Sequence, residues 1–181
     1  MSLSQVLQKR IIFHQYKNWY VLDDEFYWDI KTLYNTIFKY LDSNFNIPVI
    51  FCSICQANKI ISDLGDEEDE YLRFASGIYW RELKIIFIFR FSEYMPLIET
   101  LFHEFRHVMQ DFNPDFRHHF ECDKKLPYQE RTTEIDAFQF AKEKTNEYLT
   151  SESKLHGFDS AVREACVFAV VSARSMDFVS E

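Results

Sequence analysis

Glycine and proline are scarce in this chain, three and four among 181 residues, which argues against extended linkers and for continuous secondary structure. Cysteine is limited to Cys52, Cys55, Cys122 and Cys166. Four thiols are too few for a disulfide scaffold of this size, so a reducing compartment is expected. Cys52 and Cys55 form a single C-x-x-C with no second pair to complete a zinc knuckle, and both read as buried structural thiols. No apolar run approaches bilayer-spanning length; the longest, Ile85–Phe89, is strand-sized. The opening Met1–Arg10 has no apolar core of signal-peptide length. A soluble, cytoplasmic protein without a membrane partner is therefore expected. Basic residues are outnumbered, 20 against 29 acidic, for a formal charge of −9. That balance argues against a nonspecific nucleic-acid binder, which needs a basic face, and is compatible with basic substrates.

What the chain has is apolar and aromatic mass. A hydrophobic content of 47%, with 18% aromatic, is enough for a packed core. The length fits one domain, taken as residues 1–150, with residues 151–181 as a terminal addition. Ile11–Tyr16 and Trp19–Leu22 are weak strand or hairpin candidates. Phe26, Ile30, Leu33, Ile37 and Leu41 recur at helical spacing and predict a helix over 24–43, capped by Asp23 or Asp24. Pro48–Ser53 reads as a strand, and 54–64 as a short helix or irregular edge ending at Gly65. The acidic run Asp66–Glu70 reads as a solvated loop and matches a calcium loop poorly. Ser76–Trp80 and Lys84–Arg90 are joined by a hairpin-length link, and the second is apolar enough for a strand covered on both faces.

A helix capped by Ser92 then carries Leu97, Ile98, Leu101, Phe102, Phe105, Val108 and Met109, so most of its circumference is buried. Residues 113–127 look polar and irregular. A long helix is expected from about Tyr128 to Leu149, a break over Ser151–Gly157, and a last helix over about 159–178 that packs on the domain or on a partner.

The chemistry concentrates in Phe102–Val108. His103 and His107 are four residues apart and share one helical face, one turn from each other. Two imidazoles so placed can share a tetrahedral zinc ion. Glu104, rotated by about 100° from His103, can reach a water on that ion but not the ion itself. This is the H-E-x-x-H arrangement of zinc metallopeptidases. Polar groups on a mostly buried helix need partners, and a metal with its water would supply them.

Catalytic zinc takes three protein ligands and a water. The run after His107 lacks both the glycine and the third histidine of a metzincin. Glu134 lies twenty-seven positions after His107, on a helical stripe with Ala137, Phe138 and Ala141. A carboxylate on such a stripe calls for a cation. Glu130, one turn earlier on the same face, is the rival ligand, and in that version Glu134 becomes an acceptor behind it.

Together His103-Glu-Phe-Arg-His107 and the helix Tyr128–Ala141, after a helix and several strands, resemble a minimal gluzincin, a zincin-fold zinc peptidase. The resemblance covers about residues 45–150. It implies an α+β fold: a small mixed sheet packed on the H-E-x-x-H helix, a second ligand-bearing helix, and a C-terminal helix. It also implies Zn2+ as cofactor and a peptide or protein as substrate. Position 138 is Phe, where thermolysin-type relatives carry an Asp four residues after the ligand. The implied mechanism is amide hydrolysis by a zinc-bound water, with Glu104 as proton carrier. Tyr128 is the first candidate to stabilise the oxyanion, ahead of His118, His119 and His156. Lys84–Arg90 is the natural edge for an extended peptide to pair with, while which of the two hairpin strands is exposed stays open. The alternatives are a zincin-fold protein that binds metal and a partner without cleaving, and an ordinary domain without metal.

Overall fold

A computed structural model describes residues 1–41, 45–67 and 75–156. The expected C-terminal helix over 159–178 lies outside them. The described chain is a mixed α+β structure built on one five-stranded sheet. It begins with helix α1 (Leu3–Leu7), strands β1 (His14–Tyr16) and β2 (Trp19–Val21), and helix α2 (Ile30–Tyr40). Strand β3 (Val49–Phe51), helix α3 (Ile54–Leu64) and strands β4 (Gly77–Trp80) and β5 (Ile85–Ile88) follow. Helices α4 (Tyr94–Phe112) and α5 (Pro114–Asp123), a 3-10 turn (Tyr128–Glu130) and helix α6 (Thr132–His156) complete it.

The sheet order is β1-β2-β3-β5-β4, with β2, β3 and β5 parallel and the outer strands antiparallel. Period-two alternation splits the apolar strands between two cores. Val49, Phe51, Ile86 and Ile88 face a cluster shared with α2 and α4, centred on fully buried Trp19 and including Phe105. Ile50, Cys52, Ile85 and Phe87 face a second cluster with α1 and α3. Every residue of β5 is buried. That double coverage follows from its unbroken apolar sequence. It also settles which strand of the hairpin is at the edge, against Lys84–Arg90: β5 is paired on both sides, and among the described residues β4 and β1 end the sheet.

Several boundaries differ from the sequence reading, each for a local reason. The helix expected over 24–43 is shorter, because Asp23 closes a turn by accepting from Glu25 N at 3.0 Å and Asp29 caps α2 by accepting from Thr32 N at 2.7 Å. Glu93, not Ser92, stands at the N-cap of α4, with no side-chain cap bond. The stretch read as irregular contains α5, with Asn113 as cap and Pro114 in the first turn. No break follows Thr150, since α6 continues to His156. Cys52 is buried but Cys55 is exposed, and neither forms a disulfide. No described helix is long and apolar enough to cross a membrane.

Strand β4 lies close against α4, and Gly77 permits it. A Cβ built there would stand 2.8 Å from Thr100 Cγ2, 2.9 Å from Ile88 Cδ1 and 3.1 Å from the Phe87 carbonyl oxygen. Gly77→Ala is expected to destabilise the fold by about 1–3 kcal/mol through overpacking, read as a lowered urea midpoint. An unchanged midpoint would show that the strand and helix are not held this closely.

Candidate metal centre

The two histidines come from the middle of α4, whose apolar sides bury it between the sheet and α6. Glu134 comes from the first turn of α6. That turn is set by a residue distant in sequence: Asp123, at the end of α5, accepts from Thr132 N at 3.1 Å and from Thr133 N at 2.8 Å and Oγ1 at 2.6 Å. Glu134 therefore sits where the helix dipole favours a carboxylate. Helices α4 and α6 then pack along each other and carry the three side chains to one point.

His103 Nε2 and His107 Nε2 are 3.1 Å apart. Glu134 Oε2 is 3.3 Å from the first and 3.4 Å from the second. A tetrahedral zinc ion with ligands about 2.0–2.1 Å away separates its ligand atoms by about 3.3–3.4 Å. The triangle fits such an ion. The chemistry of the donors agrees: Glu134 Oε2 is buried without a hydrogen-bond partner, and His107 Nδ1 engages Gln110 Oε1 at 2.9 Å, which leaves the Nε2 lone pair facing inward. His103, His107 and Glu134 form the one group of at least three potential ligands found among the described residues.

Glu104 lies beside this group, 5% exposed, and accepts from Tyr79 N at 2.7 Å. Burial raises its carboxyl pKa, while the two imidazoles and the Tyr79 amide oppose the rise. Burial also works against ionised Glu134, but the imidazoles and the Tyr128 hydroxyl outweigh it and hold that carboxyl far below its usual range. Burial alone would lower His107; Glu134 and Glu104 prevail and push it up to about 9. In the metal-free protein a proton on His107 thus stands in for a cation.

Tyr128 is brought to the site, with its ring edge-on to Phe138 at 6.3 Å between centroids, and it helps to lower the Glu134 pKa. Phe138, at the position of the thermolysin-type Asp, packs on the His103 imidazole with ring centroids 4.5 Å apart. His103 Nδ1 is buried with no hydrogen-bond partner, so packing holds that ring. Glu130 is exposed at the end of the 3-10 turn and is not in the ligand group. His118 and His119 lie on α5 outside that group; His118 approaches Cys122 Sγ at 3.5 Å. The side chain of His156 lies outside the described residues.

Three participants escape the sequence reading. Tyr79 acts through its backbone, which no residue type announces. Asp111 is buried on α4 and receives the Tyr79 hydroxyl at 2.8 Å, Arg81 Nε at 2.8 Å and Lys84 Nζ, which pins the β4–β5 hairpin to the helix. It stands seven residues after Glu104 on the same helical face, a spacing that could have flagged it. Gln110, three residues after His107, was visible in the same way.

Fold and site together define an α+β protein with a buried two-histidine, one-carboxylate group that could hold a metal ion. Residues 21–152 match the family described as "Protein of unknown function (DUF3920)", and the chain belongs to that family. No curated protein and no solved structure matches the chain.

His107 has a raised folded pKa, so its contribution to metal-free stability is complete below its ordinary 6.5 and is lost as pH rises through about 9. Glu134 has a depressed pKa, so its contribution is present above the ordinary 4.5 and is lost in acid. The metal-free protein should be most stable between these limits, about pH 4.5–6.5, and lose up to roughly 3 kcal/mol on going to pH 9. Thermal melts in chelator across that range check this. A midpoint that does not fall between pH 6.5 and 9 would contradict it.

Proposed function

We propose that this protein is a zinc-dependent peptidase of the zincin type and gluzincin branch, with His103, His107 and Glu134 as metal ligands. The observation that carries the proposal is the meeting of Nε2, Nε2 and Oε2 at 3.1–3.4 Å beside a buried Glu104. A mixed sheet against the histidine helix, with the carboxylate on the next long helix, supports the zincin reading of the fold.

Zinc, when bound here, would supply the electrophile that acidifies a water and polarises an amide carbonyl. The chain's own residues do the rest. Tyr79 N–H holds one oxygen of Glu104 and so fixes the carboxylate between β4 and α4. Glu104 takes the proton from the attacking water as the oxygen–carbon bond forms. It delivers that proton to the amide nitrogen as the carbon–nitrogen bond breaks. Tyr128, whose ring packs on Phe138 beside the ligand group, is the proposed donor to the developing oxyanion. An extended substrate would lie along β4, the edge strand next to α4. The net negative charge suits a basic peptide, and the cytoplasm is the proposed compartment.

A second reading, a metal-binding regulatory protein without turnover, is favoured by the same burial of Glu104 and its engagement with Tyr79 N–H. Glu104→Gln separates the two. Cleavage of a mixed peptide library, followed by mass spectrometry, should fall by about 10²–10⁴-fold with bound zinc retained. Wild-type protein that holds zinc and cleaves nothing would favour the second reading; full activity in Glu104→Gln would refute the mechanism. For the ligands, Glu134→Ala should abolish zinc retention on gel filtration while Glu130→Ala keeps it, and the reverse order would move the third ligand to Glu130.

A further inference from the structure

Gln110 is 1% exposed, and its amide is used at both ends. Its Nε2 donates to the Thr133 carbonyl at 2.8 Å and to Asp136 Oδ2 at 2.7 Å. Asp136 is itself held by Arg106, with Nε at 2.6 Å and Nη2 at 3.0 Å. A carbonyl and an arginine-paired carboxylate are acceptors only. Turning the amide over would set its oxygen against both, inside a buried seam where two such repulsions are costly. The amide orientation is therefore determined: Oε1 faces His107 Nδ1 at 2.9 Å. Nδ1 must then carry a proton in either charge state, so Nε2 is the nitrogen that faces His103 and Glu134 and offers its lone pair once a metal displaces its proton.

We propose that Gln110 is a positioning residue that sets the tautomer and ring angle of His107 and ties both to the turn of α6 bearing Glu134. Thr133 immediately precedes Glu134, and Asp136 lies two residues after it. One side chain thus aligns ligands from two helices. The two histidines are held by different means: His107 by this hydrogen-bonded chain, and His103 by the Phe138 ring. The inference rests on the metal reading above, though not on peptidase activity.

The test compares wild type with Gln110→Met, which keeps the length of the side chain and removes its hydrogen bonds. Zinc affinity is measured by competition with a chromophoric chelator, and thermal midpoints are taken with and without zinc. Affinity should fall about 10–100-fold, with a larger loss of midpoint in the zinc-loaded than in the metal-free protein. Cobalt(II) substitution should show an altered visible spectrum in the variant. Unchanged affinity, or equal loss of stability in both forms, would reduce Gln110 to a clamp between helices and overturn the proposal. If wild type itself takes up no zinc, the metal reading falls and this proposal with it. Nitrogen-15 shifts of His107 in zinc-loaded wild type give a check without any variant: a protonated Nδ1 and a metal-bound Nε2 are expected, and metal on Nδ1 would refute the assignment.

Discussion

The seam between α4 and α6 forces two imidazole nitrogens and a carboxylate oxygen to within 3.4 Å of one another, away from water. Three inward lone pairs in a low-dielectric space repel, and an unpaired carboxylate there costs several kcal/mol. A positive charge at its centre relieves both costs. A proton on His107 supplies one charge at the expense of a raised pKa. A divalent ion would supply two and would meet all three lone pairs. The surroundings follow from that requirement: a buried helix to hold the imidazoles, a dipole end to hold the carboxylate, and the Gln110 amide to keep one imidazole turned inward.

A second constraint joins this seam to the sheet. Thr100, Glu104 and Asp111 line the side of α4 that β4 approaches, against Gly77, the Tyr79 amide and the Tyr79 hydroxyl respectively. The absence of a side chain at Gly77 sets how near the strand comes, and so how well a backbone N–H can hold Glu104. Asp111, with three donors on one carboxylate, fixes the far end of the same hairpin. The candidate base and the β4 edge are thereby tied to one stretch of α4. This fits proton transfer beside a strand-bound chain, and it couples the packing of β4 directly to the chemistry proposed for Glu104.

Much of this was readable in the residues, and the rest was not, for identifiable reasons. His103, Glu104 and His107 are a spacing on one helix, and helical geometry alone puts two of them on one face. Glu134 stood out as a carboxylate on an apolar stripe. The double burial of β5 was implied by its composition; its place inside the sheet was not, because pairing order has no local signature. Helix α5 was missed because its polar surface hides the periodicity, although Asn113-Pro114 is a cap followed by a first-turn proline. The start of α6 depends on Asp123, whose carboxylate caps a helix nine residues on only because α5 folds back to present it.

The sequence by itself determined which side chains could serve as ligands and base, since i, i+4 spacing and burial of a helix are properties of a short stretch. Tertiary structure decided which groups meet. It brought Glu134 rather than Glu130 to the histidines, gave Glu104 a backbone amide, turned the Gln110 amide toward His107, and put Phe138 against His103. Each of these contacts joins residues on different elements or depends on a neighbour that another element supplies. They arise from how two helices and a strand edge pack, which no short window of residues encodes.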